Sequence, residues 1–217
     1  MPINMFLCLK VLLSYLEKIS ILPFDYKYSV VILAAGTSSR FGKNKAFLKY
    51  NSEHTFLEKI VSTYYNSGIK DGYLVVNNET FNDLKNYKFQ NFKIIINSEP
   101  QNGRLYSLKL AVEKMDNYNY CFIQNIDNPF VNPDLIQKLI TNCENCDYIV
   151  PTFDGKNGHP ALISSKVLKL ISKSDYSFGI KEVLKQFAKK NVIVNDKSVL
   201  YNINTIEEYK SIFKFVE

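Results

Sequence analysis

The stretch Tyr28–Phe47, YSVVILAAGTSSRFGKNKAF, constrains the fold of this chain more than any other. Val30 to Ala34 form an unbroken apolar run that enters a loop of small residues. Such a run before a turn is the pattern of a parallel strand covered on both faces. The loop, Ala35 to Lys45, has almost no bulk. It offers hydroxyls on Thr37 and Ser38 and positive charge on Arg40, Lys43 and Lys45. Gly36 lacks a Cβ, so a ligand can approach the backbone there. A strand that ends in a small, donor-rich, cationic loop is suited to holding phosphates.

The chain beyond it alternates. Strands are expected at 73–77, 92–96, 120–124 and 147–150, and helices at 55–67, 79–86 and 104–115. Thr55 and Glu58 have the spacing of a capping box, and Asn132 followed by Pro133 opens a further helix. This order calls for an α/β fold, a mostly parallel sheet with helices on both faces. Ligands of such sheets gather beyond the carboxyl ends of the strands. The polar clusters there are the Gly36 loop, Asn77 and Asn78, residues 97–104, and residues 125–129. All four should converge on one rim.

The second half is less regular. A turn at Asp154 to Gly158 joins two extended pieces, and helices are expected at 166–172 and 178–189. Short strands follow at 192–195 and 200–203. Thr205 and Glu208 form a second capping box, with Ile206, Tyr209 and Ile212 on the buried face of the last helix. No linker or repeat divides residues 26–217, which read as one domain. Residues 1–25 read as an amphipathic helical extension, with Leu9, Leu12, Leu13, Leu16 and Ile19 on one face. Lys10, Glu17 and Lys18 interrupt that segment too often for a bilayer span. Its apolar face could meet the domain, a partner or a second copy.

A net charge of +6 over 217 residues, with lysines scattered along the chain, suits anionic small molecules better than nucleic acid. Cys143 and Cys146 make a C-x-x-C pair without the second pair a zinc site needs. Free thiols in a reducing, cytoplasmic setting are the expectation.

Two familiar phosphate loops do not fit. The dinucleotide fingerprint needs three glycines where only Gly36 and Gly42 stand, and in a P-loop Lys43 would be followed by Ser or Thr rather than Asn44. Leu33 to Lys45, L-A-A-G-x-S-x-R-F-G-x-x-K, instead resembles the signature of the MobA-like NTP transferases, the molybdenum-cofactor cytidylyltransferase and guanylyltransferase type. Ordered blocks extend that resemblance from Tyr28 to Tyr209. It implies a nucleotide-diphospho-sugar transferase-like, Rossmann-like three-layer fold. It also implies Mg2+-dependent transfer of an NMP from an NTP to a phosphorylated acceptor such as molybdopterin cofactor, with release of pyrophosphate. The blocks Gly155–Pro160 and Ser177–Leu184 are closer to the cytidylyltransferase branch, which favours CTP and leaves GTP open.

Asp127, in N-I-D-N-P-F just past the fourth strand, is the best metal ligand by position, and the resemblance agrees. Where the family often carries two aspartates before the last helix, this chain has Asn202 and Asn204, and the choice of second ligand stays open between them. Arg40 and Lys45 are the candidates for the phosphates and the leaving pyrophosphate. Nucleotide contacts are expected from Leu33, Ala34, Ala35, Gly36, Thr37, Ser38, Gly42, Asn77, Gly103 and Ser107, and acceptor contacts from Gly158, His159 and Pro160. A sugar-phosphate or alcohol-phosphate nucleotidyltransferase of the same fold is the neighbouring alternative. A nucleotide-binding regulator without turnover is the alternative of another class.

Overall fold

In the computed structural model, residues 26–36, 41–84, 87, 89, 91–175 and 179–214 are described. The expected extension at 1–25, and Thr37, Ser38 and Arg40 of the loop, lie outside them. So do Ser177 and Phe178.

Strand β1 (Tyr28–Ala34) is buried along its whole length. Successive side chains of a strand point to opposite faces, and β1 divides accordingly. Val30, Ile32 and Ala34 enter one apolar cluster with Leu57, Ile60, Tyr64, Leu135 and Leu139. Val31, Leu33 and Ala35 enter another with Leu105, Leu108, Val167 and Ile171. The first cluster is covered by α1 (Phe56–Asn66) and α4 (Pro133–Thr141), the second by α3 (Gly103–Val112) and α5 (Ser165–Lys173). The three layers therefore follow from an uninterrupted apolar strand that needs cover on each side.

β1 sits between β2 (Gly72–Val76) and β4 (Tyr120–Asn125), parallel to both, and β3 (Phe92–Ile96) lies parallel outside β2. The sheet continues past β4 through β7 (Ala161–Ser164), β5 (Tyr148–Phe153) and β6 (Lys156–Asn157), all paired antiparallel. β8 (Lys189–Ile193) pairs parallel to β5. The chain goes from β1 to β2 and β3 on one side, then crosses to β4 on the other. The crevice beyond the carboxyl ends of β1 and β4 is thus the switch point where ligands of open α/β sheets bind.

Local signals placed the helix starts well. Thr55 accepts from Glu58 N while Glu58 caps the Thr55 amide, and Thr205 with Glu208 repeats the arrangement at α7 (Ile206–Ile212). Asn132 accepts from Leu135 N at α4, and Asn77 accepts from Thr80 N at α2 (Asn78–Asp83).

Three expectations in the second half are corrected. The helix expected at 178–189 is only α6 (Ile180–Leu184) among the described residues, because Lys189 and Lys190 already pair with β5. The strand expected at 200–203 is replaced by a 3-10 turn, Lys197–Leu200, and extended chain after it. Ile206 is 39% exposed, since Ile203 and Phe213 fill the space beneath α7 beside Tyr209. Cys121, Cys143 and Cys146 are free thiols.

Candidate active site

The four polar clusters meet on the rim as the parallel strands require. Leu33, Ala34 and Ala35 are buried, with exposed Gly36 immediately after. Asn77, which follows β2, donates from Nδ2 to Ala35 O at 3.3 Å and so ties the two strand ends together. Asn97, which follows β3, is fully buried and donates to Ser107 Oγ at 2.9 Å. That bond secures the first turns of α3, where Gly103 has φ +85, a left-handed conformation that favours glycine. Gly42 is exposed in the loop that follows β1.

Lys45 begins a 3-10 turn, Lys45–Phe47, capped by the Asn44 side chain. Asn44 also donates to Thr80 Oγ1 at 2.9 Å, so the closing part of the loop is pinned to α2. Lys45 Nζ donates to Asn204 Oδ1 at 3.0 Å. Asn204 Nδ2 turns back to the Asn202 carbonyl at 3.3 Å. Both functional atoms of Asn204 are therefore engaged, whereas the Asn202 side chain makes no hydrogen bond among the described residues.

Asp127 is tied to the middle of that segment through its backbone. Its carbonyl accepts from Ile203 N at 2.8 Å, which places the segment 202–204 against it. Its Oδ1 is buried with no hydrogen-bond partner among the described residues. A buried carboxylate oxygen is costly unless something pairs with it. A hard divalent cation with oxygen preference fits that atom and a neighbouring amide oxygen. Among the described residues no group of three His, Cys, Asp or Glu could form an all-protein cage. One carboxylate plus an amide suits a magnesium-type ion that completes its shell with phosphate and water.

The loop that carries Asp127 is held from below by residues that sequence reasoning passed over. Gln124 Nε2 donates to Asn125 O at 2.9 Å and Asn128 O at 2.7 Å, and its Oε1 accepts from Tyr64 OH at 3.0 Å. Asn128 Nδ2 reaches the carbonyls of Ser198 and Val199 at 3.3 and 3.2 Å, and that of Tyr201. Asn128 thus brings the chain that leads into Asn202 up to the Asp127 loop. An aromatic cluster finishes the join. Phe41 of the loop after β1 packs with Phe56, Tyr209, Phe213 and Ile203, and Tyr209 OH donates to Lys49 O at 2.7 Å. The only sequence hint of this scaffold is the run of Asn and Gln around Asp127.

The G-H-P turn meets the same Val199 carbonyl that Asn128 reaches. Gly158 is buried against Val199, and a Cβ there would meet Val199 Cγ2 at 2.6 Å and Val199 O at 2.7 Å. Its amide donates to Pro151 O at 2.7 Å, and the His159 amide donates to Val199 O at 2.8 Å. The His159–Pro160 peptide is cis. The His159 ring lies 3.3 Å from Asn125 Nδ2 at both ring nitrogens. Burial, with the Arg104 cation next, holds the imidazole below its usual pKa; Asp127 acts in the opposite direction and Lys181 with Arg104.

A family model described as the MobA-like NTP transferase domain matches residues 30–192. The probable molybdenum cofactor guanylyltransferase of Clostridium perfringens (strain 13 / Type A) is 29% identical over 201 residues, covering 87% of this chain and 97% of that protein. Molybdopterin-guanine dinucleotide biosynthesis protein A from Archaeoglobus fulgidus has a TM-score of 0.65 at 19% identity, over 86% of this chain and 97% of that one. A Mycobacterium tuberculosis protein solved in complex with manganese has a TM-score of 0.69 at 16% identity, over 88% of this chain and 100% of that one. At these identities the two structures speak for the fold.

Proposed function

The chain belongs to the MobA-like NTP transferase family and is a nucleotidyltransferase; we propose that it transfers GMP from GTP to the phosphate of a molybdopterin-type acceptor with a divalent cation, releasing pyrophosphate. The observation that carries this reading is the buried, unpartnered Asp127 Oδ1 at the switch point of the sheet, with Lys45 reached through one hydrogen-bonded segment. GTP is preferred to the CTP that the Gly155–Pro160 and Ser177–Leu184 blocks favour, because relatives matched over nearly their whole length are named guanylyltransferases.

The reaction joins an acceptor phosphate oxygen to the α-phosphorus as the bond from that phosphorus to the β-phosphate bridging oxygen breaks. The electron pair leaves with pyrophosphate. Asp127, with Asn202 beside it, would hold the cation, Mg2+ by the chemistry of these donors, which when bound neutralises charge on the phosphate oxygens. Lys45 supplies a fixed positive charge near the departing phosphates, and its bond to Asn204 restricts the ammonium before substrate arrives. Arg40 is assigned the same task from its place in the signature. Backbone at Leu33 to Gly36 and Gly42, with Thr37 and Ser38, would cradle the nucleotide, bounded by Asn77, Gly103 and Ser107. Gly158, His159 and Pro160 would form the acceptor wall. Among the described residues no helix is long and apolar enough to cross a membrane.

Pyrophosphate release over four NTPs, with molybdopterin, a sugar phosphate and an alcohol phosphate as acceptors and Mg2+ or Mn2+ supplied, tests the reading. GTP with molybdopterin should turn over fastest. A best rate with CTP would reassign the base, and a best rate with another acceptor would reassign the reaction within the fold. NTP binding without any turnover would favour a regulator.

A further inference from the structure

The loop between β3 and α3 reads from sequence as a wall of the nucleotide pocket. Arg104, the second residue of α3 just beyond it, reaches across to β4. Arg104 Nη2 donates to Asn125 Oδ1 at the end of β4, on the far side of β1 from β3. Asn125 Nδ2 in turn faces the His159 ring at 3.3 Å. We infer that Arg104 is a specificity-determining residue for the acceptor: its guanidinium, held by Asn125 beside His159, takes the phosphate of a phosphomonoester. This inference rests on the proposed function and names the phosphate contact of the same site.

Donor and acceptor chemistry sets the direction of the chain of bonds. A guanidinium only donates, so the Asn125 oxygen must face it. The amide nitrogen of Asn125 must then face His159, and an amide nitrogen also only donates. Lying 3.3 Å from both ring nitrogens, that donor favours the neutral imidazole, which keeps one nitrogen unprotonated and one N–H. Arg104, through Asn125, thus sets donors beside the imidazole: its own guanidinium N–H groups and the N–H of the neutral ring. Among the described residues no carboxylate lies within ion-pair distance of Arg104, so its charge has no fixed counter-ion. Lys181 adds positive potential at the same imidazole. Planar, forked donors beside a single ring N–H match the oxygens of a dianionic phosphate, and Arg is the side chain whose geometry does this bidentately. In this arrangement Asn125 is a positioning residue and Arg104 touches substrate.

The test uses the full chain, first saturated with a non-hydrolysable GTP analogue so that the donor phosphate positions are filled. The chain has two histidines, so 15N-histidine spectra of the protein and of a His54→Gln variant assign the His159 ring. Inorganic phosphate is the probe. In the wild type, phosphate should shift the His159 signals, which should show a neutral single tautomer beforehand. In Arg104→Met the phosphate response should weaken about 10-fold or more, the loss expected of a charge-assisted fork. Arg104→Lys should keep the tautomer, since Lys still donates to Asn125, yet recover only part of the phosphate affinity. Asn125→Asp should disturb the tautomer itself, because a carboxylate cannot donate to the ring. In turnover, Arg104→Met should raise the acceptor KM and leave the affinity for the GTP analogue unchanged. An equal phosphate response in wild type and Arg104→Met overturns the inference, as does a loss of analogue affinity with acceptor KM unmoved. Failure of the functional reading is seen separately, as wild-type protein that does not bind the analogue before phosphate is added.

Discussion

Lys45 Nζ donates to Asn204 Oδ1 at 3.0 Å across 159 positions of the chain. The residue before Asn204 bonds through its backbone amide to the Asp127 carbonyl at 2.8 Å. The cation that closes the signature and the carboxylate beyond β4 are therefore neighbours through one short segment. In that segment Asn204 gives its oxygen to Lys45, which is why Asn202 is the one proposed as second ligand.

Asn202→Asp should tighten divalent-cation binding by placing a second charge near Asp127 Oδ1. Asn204→Asp should not, since its new carboxylate would pair with Lys45 and hold that ammonium away from phosphate. Metal titrations of both variants followed by calorimetry check the assignment. Tighter binding in Asn204→Asp alone would reverse it.

Asp127→Asn keeps the shape of the side chain and removes its charge. Turnover at a fixed Mg2+ concentration should fall by about 100-fold or more, at least the upper end of what disturbing a metal's supporting shell costs. Thermal stability should be retained or slightly raised, because a buried oxygen without a partner no longer bears charge. Pyrophosphate release and a melting curve on the same sample separate the two effects.

Asn128→Ala should cost about 1–3 kcal/mol, because the Tyr201 carbonyl would lose its donor while those of Ser198 and Val199 would keep only the Tyr201 and His159 amides. Metal affinity should fall with stability, since those bonds hold the chain that leads into Asn202, the proposed second ligand. Urea denaturation and metal titration should therefore move together. A loss of stability with metal affinity intact would mean that the 202–204 segment is held by the aromatic cluster alone.

Gly158→Ala should cost about 1–3 kcal/mol, the range of overpacking against groups that cannot withdraw. The Val199 carbonyl at 2.7 Å from the new Cβ is backbone that also receives the His159 amide, so relief of the clash moves the imidazole. Chemical denaturation gives the first effect. A raised acceptor KM with nucleotide affinity preserved gives the second.

His159 contributes a pH dependence of known sign. Its folded-state pKa lies below the ordinary value, chiefly through burial and then through Arg104, so the unfolded chain takes up the proton first as pH falls. The stability it contributes is present above the unfolded pKa of about 6.5 and declines as pH drops from there through the folded value. Urea unfolding between about pH 7.5 and about pH 5.5 should show that slope, and His159→Asn should flatten it. The depressed carboxyls of Glu58 and Asp147 act only in the acid range below this window.

What the sequence determined by itself is what local chemistry dictates. The apolar run of β1 demanded cover on both faces, and the caps at Thr55, Asn132 and Thr205 set helix starts within a residue. Parallel order then put the residues after β1 to β4 on one rim without further information. Tertiary structure decided the rest. The 200–203 segment has strand-like residues, yet Asn128 claims its backbone and Ile203 is drawn down into the aromatic cluster, so it never pairs as a strand. Which asparagine oxygen is taken up by a cation depends on where Lys45 arrives from the far end of the chain. Arg104 at the start of α3 finds its acceptor oxygen on Asn125 at the end of β4, 21 positions along the chain. Periodicity and capping act over a few residues and are written locally, whereas these polar pairings join groups tens of positions apart, and their partners exist only once the chain has folded.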